Sequence, residues 1–315
     1  MSTSGNSSSR SILAASDSWR LLDERRIRLI DVIPILSIHA LCFGVIWTGW
    51  SWTAVGAAVL LYFIRMFVIT AFYHRYFSHR TFRTHRAVQF IAAFIGVTAA
   101  QRGPLWWAAH HREHHRHSDL EPDLHSPSWK GVLWSHTGWF LTQKGQATNW
   151  KAIPDWAGVR ELLWIERNHM IGPVALAAAL GGIGWLLSIW APGLGTGPAQ
   201  LIVWGFGIST TALYHATFTI NSLAHTIGSR RFRTFDDSRN NWFLALLTLG
   251  EGWHNNHHFH PGSVRQGFYW WEFDPAYWGL RVMSSVGLVW DLRAVPAWVY
   301  ERADELRMSR PGGAT

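Results

Sequence analysis

Cysteine is nearly absent from this 315-residue chain, in which Cys42 is the only example. A single thiol excludes a disulfide within the chain, a thiolate-rich zinc site and an iron–sulfur cluster. Charged residues are also scarce, at 15% of the chain, and Asp and Glu (20) are outnumbered by Lys and Arg (28). No glycine-rich dinucleotide loop follows a strand-like segment, so any electrons that the protein uses must come from a separate protein.

Long apolar tracts, by contrast, are abundant, and each is close to the roughly 20 residues that a membrane-crossing helix needs. Spans are predicted at residues 29–50, 51–73, 170–190 and 200–220. They form two pairs whose short connections carry no charge. Arg65, inside the second span, is costly in lipid and is expected to snorkel or to pair with a partner that the sequence does not reveal.

The basic residues are distributed asymmetrically around these spans. Lys and Arg number 5 in residues 1–28, 12 in residues 74–169 and 10 in residues 221–315. Every basic segment therefore lies on one side of two hairpins, which the positive-inside rule identifies as the cytoplasm. No nucleic-acid motif accompanies the high isoelectric point, and attraction to anionic lipid headgroups explains the basic residues better.

The predicted fold class is all-α and integral to the membrane: four transmembrane helices in two hairpins, with a helical cytoplasmic cap. Residues 1–28 are predicted to be a tail, disordered to residue 17, followed by a basic interfacial helix. Residues 29–300 are predicted to form a single domain, and residues 301–315 a C-terminal tail, disordered from residue 308. We expect no cleaved signal peptide and both termini in the cytoplasm.

Histidine is the most informative residue type, because one pattern, HxxHH, occurs twice. His111, His114 and His115 form the first copy. Positions i, i+3 and i+4 share one face of a helix, so each copy is expected to direct three imidazoles at one place. The second copy lies far downstream and consists of His254, His257 and His258.

Further polar residues follow the second and fourth spans. His74 and His79 are five residues apart, about 140° on an ideal helix, so they cannot face one point unless the helix ends between them, and they suit two different ions. Asn221 and His225 are four apart and share a face. Nine imidazoles exceed the four ligands of a zinc site, so two metals with four or five nitrogens each fit the count.

Other groups near the histidine boxes are candidates for supporting the ligands. His110, Asp119 and Glu251 are expected to hold a ligand's tautomer by hydrogen bonding. Glu113 is turned away from the histidine face of its helix, which favours a surface position.

In order and spacing, these motifs resemble the membrane-bound fatty acyl desaturases of the stearoyl-CoA Δ9-desaturase type, over about residues 30–295. The resemblance rests on HRYFSHR (74–80), HREHHRHSD (111–119), LHSP (124–127), SHTGWF (135–140), NSLAH (221–225) and GEGWHNNHHFHP (250–261). It implies two iron ions held by the nine histidines, with Asn221 bound through water, and no catalytic side chain beyond this centre. It also implies that O₂ and two external electrons insert a cis double bond into an acyl chain held in a narrow tunnel.

The resemblance also suggests substrate contacts and an electron donor. Tyr62 and Met66 share a helix face, and the resemblance implies that they close the far end of the tunnel and set chain length; a lipid-facing or core position is the alternative. A basic–acidic pair precedes HxxHH in acyl-CoA members, but Ala109 and His110 occupy those positions here. Either other cations bind the CoA headgroup, or the substrate is a phospholipid acyl chain. The candidate cations are Arg112, Arg116, Lys130 and Arg230–Arg231.

No fused cytochrome b5 domain is expected, so the donor is a separate ferredoxin, or cytochrome b5 with its reductase. Two other functions share parts of the pattern. A membrane di-iron hydroxylase or ketolase also has clustered histidines, but it adds oxygen to carbon. A metal transporter or sensor would carry polar residues through the spans, whereas these histidines lie at span ends and in the predicted cap.

Overall fold

A computed structural model of the chain describes residue 19 and residues 21–308. The predicted disordered segment at residues 1–17 lies outside the described residues. Of the second predicted disordered segment, which begins at residue 308, only Met308 is described. The chain divides into two compact units. The first unit comprises Met1–Ile69, Phe90–His110 and Thr137–His215, and the second comprises Thr70–Gln89, His111–His136 and Ala216–Thr315.

The described chain is mostly helical, as predicted. Its α-helices are α1 Leu29–Cys42, α2 Val45–Thr48, α3 Trp52–Val68, α4 Arg86–Val97, α5 Pro104–His117, α6 Pro127–Lys130, α7 Gln143–Gln146, α8 Arg160–Arg167, α9 Ile171–Trp190, α10 Pro198–Leu201, α11 Ser209–Ser222, α12 Trp242–Leu247, α13 His254–Phe259, α14 Pro275–Ser285 and α15 Ala297–Met308. Two short strands, β1 Arg83–Thr84 and β2 Val289–Trp290, pair antiparallel, with Arg83 opposite Trp290.

Short π-helical and 3₁₀ segments adjoin several of these helices. The π-helical segments are Ile69–Ser78, Trp134–Gly138 and Ile202–Ile208. The 3₁₀ segments are Trp139–Leu141, Trp150–Ala152, Pro192–Leu194 and Leu223–His225.

Three helices are long and apolar enough to cross a membrane by length and composition: Leu29–Thr48, Trp52–Ser78 and Ile171–Trp190. They coincide with the first three predicted spans, although the second continues five residues beyond its predicted end. The fourth tract is helical from Pro198 to Ser222. The hydroxyl groups and the imidazole of His215 make it less apolar, and its membrane crossing stays a prediction.

The apolar helices of the first unit pack against one another around a buried core. The core includes Ala54, Leu180 and Leu201, all buried. Gly184 of α9 allows a close approach to α10, since a Cβ there would lie 2.7 Å from the backbone of Pro198. Large apolar side chains, by contrast, point outward from the same helices, as a lipid environment requires. Examples are Leu29, Ile30, Trp47, Trp52, Val174, Ile183 and Trp190.

The structure supplies the partners of Arg65, which is only 1% exposed. Its guanidinium donates to the hydroxyls of Ser209 (2.6 Å) and Thr210 (2.7 Å). It also donates to the carbonyl oxygens of Leu61 (3.1 Å) and Thr98 (3.2 Å). Neutral oxygens therefore stabilise this buried cation in place of a carboxylate.

Two terminal segments have a local structure that the sequence does not predict. Residues 21–28 form turns and bends, while Trp19 is helical and the rest of the expected interfacial helix lies outside the described residues. The Asp23 side chain accepts the backbone N–H groups of Arg25 and Arg26, which favours a turn, and Ile27 bridges to Thr142. The expected C-terminal tail is helical through Met308, because α15 buries apolar residues in the core of the second unit. That core contains Phe232, Phe268, Val299 and Ala303.

We expect the double substitution Ser209→Ala and Thr210→Val to lower the thermal unfolding temperature of the detergent-purified protein. Arg65 would lose two hydrogen bonds, each contributing about 1.5–3 kcal/mol when the donor is charged. Ser188→Ala is the control, since that exposed hydroxyl donates only to Trp185 of its own helix. An unfolding temperature equal to that of the control would contradict this role for the two hydroxyls.

Candidate metal centre

The second unit brings together all nine histidines that the sequence predicts as metal ligands, in two groups. Within each group, one ring nitrogen per residue lies within 4.8 Å of all the others. The five-histidine cluster consists of His74, His79, His111, His115 and His257. The four-histidine cluster consists of His114, His225, His254 and His258.

Each HxxHH box is shared between the two clusters. On α5, His111 and His115 join the five-histidine cluster, while His114 joins the other. On α13 the arrangement is reversed, because the outer two histidines join the four-histidine cluster and His257 joins the other. The prediction that each box converges on one place is therefore wrong. Positions i+3 and i+4 are about 100° apart around a helix, enough to face two adjacent sites.

A π-helical turn brings His74 and His79 together. The backbone N–H of His79 donates to the carbonyl oxygen of His74 at 3.3 Å, an i→i+5 bond. Residues five apart therefore stack one turn above the other, and the two ring centroids are 5.0 Å apart. The predicted separation of these residues assumed α-helical geometry, and the expectation that they suit two different ions is not supported.

The spacing between ring nitrogens matches that of ligands on a common ion. Two nitrogens bound about 2.1 Å from one metal, at a right angle, lie about 2.9–3.0 Å apart. The Nε2–Nε2 distances are 2.9 Å for His74–His257, 2.8 Å for His79–His111, 2.8 Å for His115–His257 and 2.9 Å for His225–His254. The all-imidazole donor set thus fits first-row transition metals.

Aspartates fix the ring tautomers of the four-histidine cluster. The Nδ1–carboxylate distances are 2.6 Å for His225–Asp119, 3.0 Å for His114–Asp123 and 2.6 Å for His258–Asp236. An ionised carboxylate only accepts hydrogen bonds, so Nδ1 must donate and Nε2 keeps its lone pair. The buried Nε2 of His258 has no hydrogen-bond partner among the described residues, as expected for an atom reserved for a metal.

The electrostatics of the site favour the neutral form of most of the clustered imidazoles and the ionised form of the three aspartates. Burial lowers the pKa of His79 to about 3, and that of His258 to about 4 in spite of its hydrogen bond to Asp236. Burial is the largest single influence on the pKa of His114 and lowers it, but the charge and hydrogen bond of Asp123 and the charges of Asp119 and Asp236 together raise that pKa. Burial alone would raise the pKa of Asp236, but its hydrogen bond with His258 lowers it. Neutral imidazole is the form that binds metals.

Glu251 supports the five-histidine cluster through His74. Its Oε2 contacts Nδ1 of His74, and the side-chain amide of Gln266 lies 3.1 Å from the same nitrogen. Burial raises the pKa of Glu251 to about 8, although the charge of Arg75 opposes the shift. The predicted proximity of Glu251 to a ligand imidazole is therefore found in the structure.

An ion pair next to His74 fixes the π-helical segment. Arg75 donates twice to Asp274, at 2.9 and 3.1 Å, and once to the carbonyl oxygen of Val264 at 2.8 Å. Both side chains are buried, and two parallel hydrogen bonds make such a pair geometrically specific. Gly250 passes close by with φ = +121°, and a Cβ there would lie 2.5 Å from Asp274 Oδ1. Glycine is therefore required directly before Glu251.

Two asparagines between the ligands hold the short helix α13. Asn255 Oδ1 accepts the backbone N–H groups of Arg231 and Phe232, both at 2.8 Å. The backbone N–H of Asn256 donates to Asn240 Oδ1 at 3.1 Å, and Asn240 Nδ2 donates back to the Asn256 side chain at 2.8 Å. These bonds anchor α13 from the side opposite its histidines and thereby orient the imidazoles.

Several predicted residues have other contacts. His110 Nε2 lies 3.0 Å from the carbonyl oxygen of Ala147, and its ring packs on Trp106, so it supports no ligand in the described part of the chain. Asn221 has no direct hydrogen-bond partner among the described residues, and its role through water stays a prediction. Lys130 is half-buried at the end of α6.

The predicted substrate residues lie in different environments. Arg112 donates to the carbonyl oxygens of Phe77 and Ser78, at 2.9 and 2.8 Å. Arg116 pairs with Glu113 on its own helix. In the first unit, Met66 is buried on α3 and Tyr62 is half-buried on the same helix. Their expected contact with an acyl chain stays a prediction.

Sequence patterns did not reveal several supporting residues. Asp236 holds the imidazole of His258 but stands in no recognisable spacing to it, because the contact depends on how a loop folds back. Asp274 and Gln266 lie downstream of the second box and follow no motif. Only the glycines around Glu251, in GEGWH, gave a signal, since they indicate an unusual backbone near a ligand.

Comparisons with known proteins agree with the motifs. The family model described as fatty acid desaturase matches residues 50–288. The chain is 32% identical over 269 residues to an sn-2 palmitoyl-lipid 9-desaturase of Nostoc sp. (strain 36). The aligned region covers 84% of this chain and 89% of that relative. It is 33% identical over 271 residues to an sn-1 stearoyl-lipid 9-desaturase of Anabaena variabilis, covering 85% and 94%.

A plant protein shows a similar degree of identity. An acyl-CoA 5-desaturase of Anemone leveillei is 32% identical over 281 residues, covering 87% of this chain and 82% of the relative. The chain therefore belongs to the fatty acid desaturase family, which confirms the resemblance inferred from its motifs.

We expect Gly250→Ala to lower both thermal stability and bound metal. The added methyl group would strain the backbone and press on Asp274, displacing the Arg75 pair next to His74. Gly182→Ala on α9 is the control, because its Cβ would meet nothing within 4 Å. Thermal unfolding and metal analysis of both variants test the expectation, and a Gly250→Ala protein as stable as the control would contradict it.

Proposed function

We propose that this chain is an O₂-dependent acyl desaturase that inserts a cis double bond, at the Δ9 position, into a saturated acyl chain. One observation carries the proposal: two HxxHH boxes share their histidines reciprocally between two adjacent clusters of buried imidazoles. Such sharing suits two metal ions that act together. The names of two cyanobacterial relatives, both 9-desaturases, support the position of the double bond.

Iron is the proposed metal because the reaction needs redox chemistry, which zinc lacks. Two bound irons would supply the oxidising power to remove two hydrogens from unactivated methylenes. The overall reaction consumes O₂, two external electrons and two protons, converts –CH₂–CH₂– to –CH=CH–, and releases two waters. A separate ferredoxin, or cytochrome b5 with its reductase, is the proposed electron donor.

The protein's own residues have three tasks in this proposal. The nine histidines hold the metals, with Asn221 acting through water, while Asp119, Asp123, Asp236 and Glu251 hold ligand imidazoles in place. The apolar helices enclose the acyl chain and exclude water, and Tyr62 and Met66 limit its depth. Placement then decides which carbons react, because a methylene offers no polar group to recognise.

The distribution of basic residues supports a four-span topology with both termini and the metal centre on the cytoplasmic side. A soluble electron donor would reach the centre from that side. The helical tract from Pro198 to Ser222 is the proposed fourth span, with its hydroxyls partly used by Arg65.

We further propose that the acyl chain arrives as a lipid ester instead of a CoA thioester. The cations that would bind CoA phosphates already have internal partners. Arg112 binds backbone carbonyls and Arg116 pairs with Glu113. Arg231 pairs with Glu272, and Arg230 lies 3.7 Å from Asp237.

The substrate proposal predicts that purified protein with an electron-donor system desaturates stearoyl chains of phospholipid in mixed micelles faster than stearoyl-CoA. Mass spectrometry of intact lipids and of CoA esters after matched incubations gives the comparison. Faster conversion of the thioester would contradict the lipid assignment without affecting the proposed chemistry.

Expression in a desaturase-deficient host should restore monounsaturated acyl chains, lighter than their precursors by two hydrogens. His114→Ala and His257→Ala, one from each cluster, should abolish the product while the protein remains in the membrane. His117→Ala on the same helix as His114 is the control, because His117 belongs to neither cluster. Products heavier by one oxygen would instead support a hydroxylase, and unsaturation retained in either cluster variant would contradict the ligand assignment.

A further inference from the structure

The two histidine clusters differ in the carboxylates that contact them. In the four-histidine cluster, three of four imidazoles donate Nδ1–H to a buried aspartate. In the five-histidine cluster, His74 contacts Glu251. By contrast, His79, His115 and His257 contact no carboxylate within residues 21–308.

The three aspartates are fixed before any ligand binds. Asp119 Oδ2 also accepts the backbone N–H of Asp237 at 2.8 Å, and Oδ1 accepts the hydroxyl of Ser126 at 3.0 Å. Asp123 accepts the backbone N–H groups of Asp119 and His125, both at 3.1 Å.

Asp236 is held in the same manner. Its Oδ1 accepts the backbone N–H and the hydroxyl of Ser238, at 3.1 and 2.6 Å, while its Oδ2 faces His258. Because these carboxylates need no reorganisation, their full charge acts on whatever the imidazoles bind.

These contacts affect both the charge around a bound ion and the basicity of the imidazoles. A carboxylate on Nδ1 makes an imidazole a stronger donor at Nε2 and adds negative charge near the ion. A fifth neutral imidazole adds one more bond but no charge. Removal of such a supporting group typically lowers metal affinity about 10–100-fold, and three act on one cluster here.

We propose that Asp119, Asp123 and Asp236 make the four-histidine cluster the tighter metal site, so that it takes up the first divalent ion and the five-histidine cluster takes up the second. The aspartates act as positioning residues, through the histidines that they hold. This inference rests on the proposed function, because it presupposes that both clusters bind metal.

The test is a metal titration of the full chain, purified in detergent and stripped with a chelator, with Co²⁺ as the probe. Visible absorption follows binding, and elemental analysis counts the ions bound. Two steps are expected in the unmodified protein. Partial chelation of the loaded protein should leave one ion per chain.

Two isosteric variants assign the steps. Asp236→Asn places an amide where His258 needs an acceptor, and it should weaken the first step about 10–100-fold. Glu251→Gln should weaken the second step and leave the first unchanged. Asp237→Asn is the matched control, because it removes a neighbouring charge whose carboxylate contacts Ser128 and Arg230 but no ligand; both steps should stay as in the unmodified protein.

The outcomes separate this inference from the proposed function. Weakening of the first step by Glu251→Gln, or a single step with two equivalent ions, would overturn the order of binding and leave the two-metal centre intact. Fewer than two ions per chain at saturating Co²⁺ would overturn both. An equal effect of Asp237→Asn and Asp236→Asn would overturn the role of the direct hydrogen bond.

Discussion

The hydrogen bond from imidazole Nδ1 to a buried carboxylate is the interaction on which the site depends. Charged imidazoles packed this closely would repel one another in a buried environment, which favours the neutral form for most of the nine. Neutrality alone leaves each ring free to place its proton on either nitrogen. The contacts of Asp119, Asp123 and Asp236 remove that freedom for three rings. The unprotonated nitrogens then face a common point.

Departures from α-helical geometry coincide with the site. The π-helical turn over Ile69–Ser78 aligns two histidines five residues apart, and the 3₁₀ segment Leu223–His225 carries another of the clustered histidines directly after α11. Such segments are less favourable than a regular helix and are frequent at functional sites. Here Arg75 compensates for the irregular turn, because its paired hydrogen bonds to Asp274 hold the backbone next to His74. The irregular backbone next to His74 is therefore held by an ion pair with Asp274, which lies 199 residues further along the chain.

Sequence reasoning identified the histidines that cluster because their spacing is local, and three long apolar helices because their composition is extreme. It predicted neither the sharing of each box between two clusters nor the close edge-on approach of the His74 and His79 rings. The first depends on two sites lying side by side, and the second on a helix type that residue spacing does not encode. The partners of Arg65 were also hidden, because hydroxyls of an apolar tract look like ordinary span residues. Asp236 escaped notice because loop folding alone brings it to His258.

The free energy lost by burying this many polar groups must be offset by hydrogen bonds from the surrounding structure. Each imidazole, carboxylate and amide removed from water costs free energy unless it is hydrogen-bonded. Asn255 and Asn256 meet this need on the far side of α13, where their amides bind backbone and side-chain groups at once. The helix has only six residues, too few to be stable alone. It follows that the polar network, more than helix propensity, fixes where the second box directs its imidazoles.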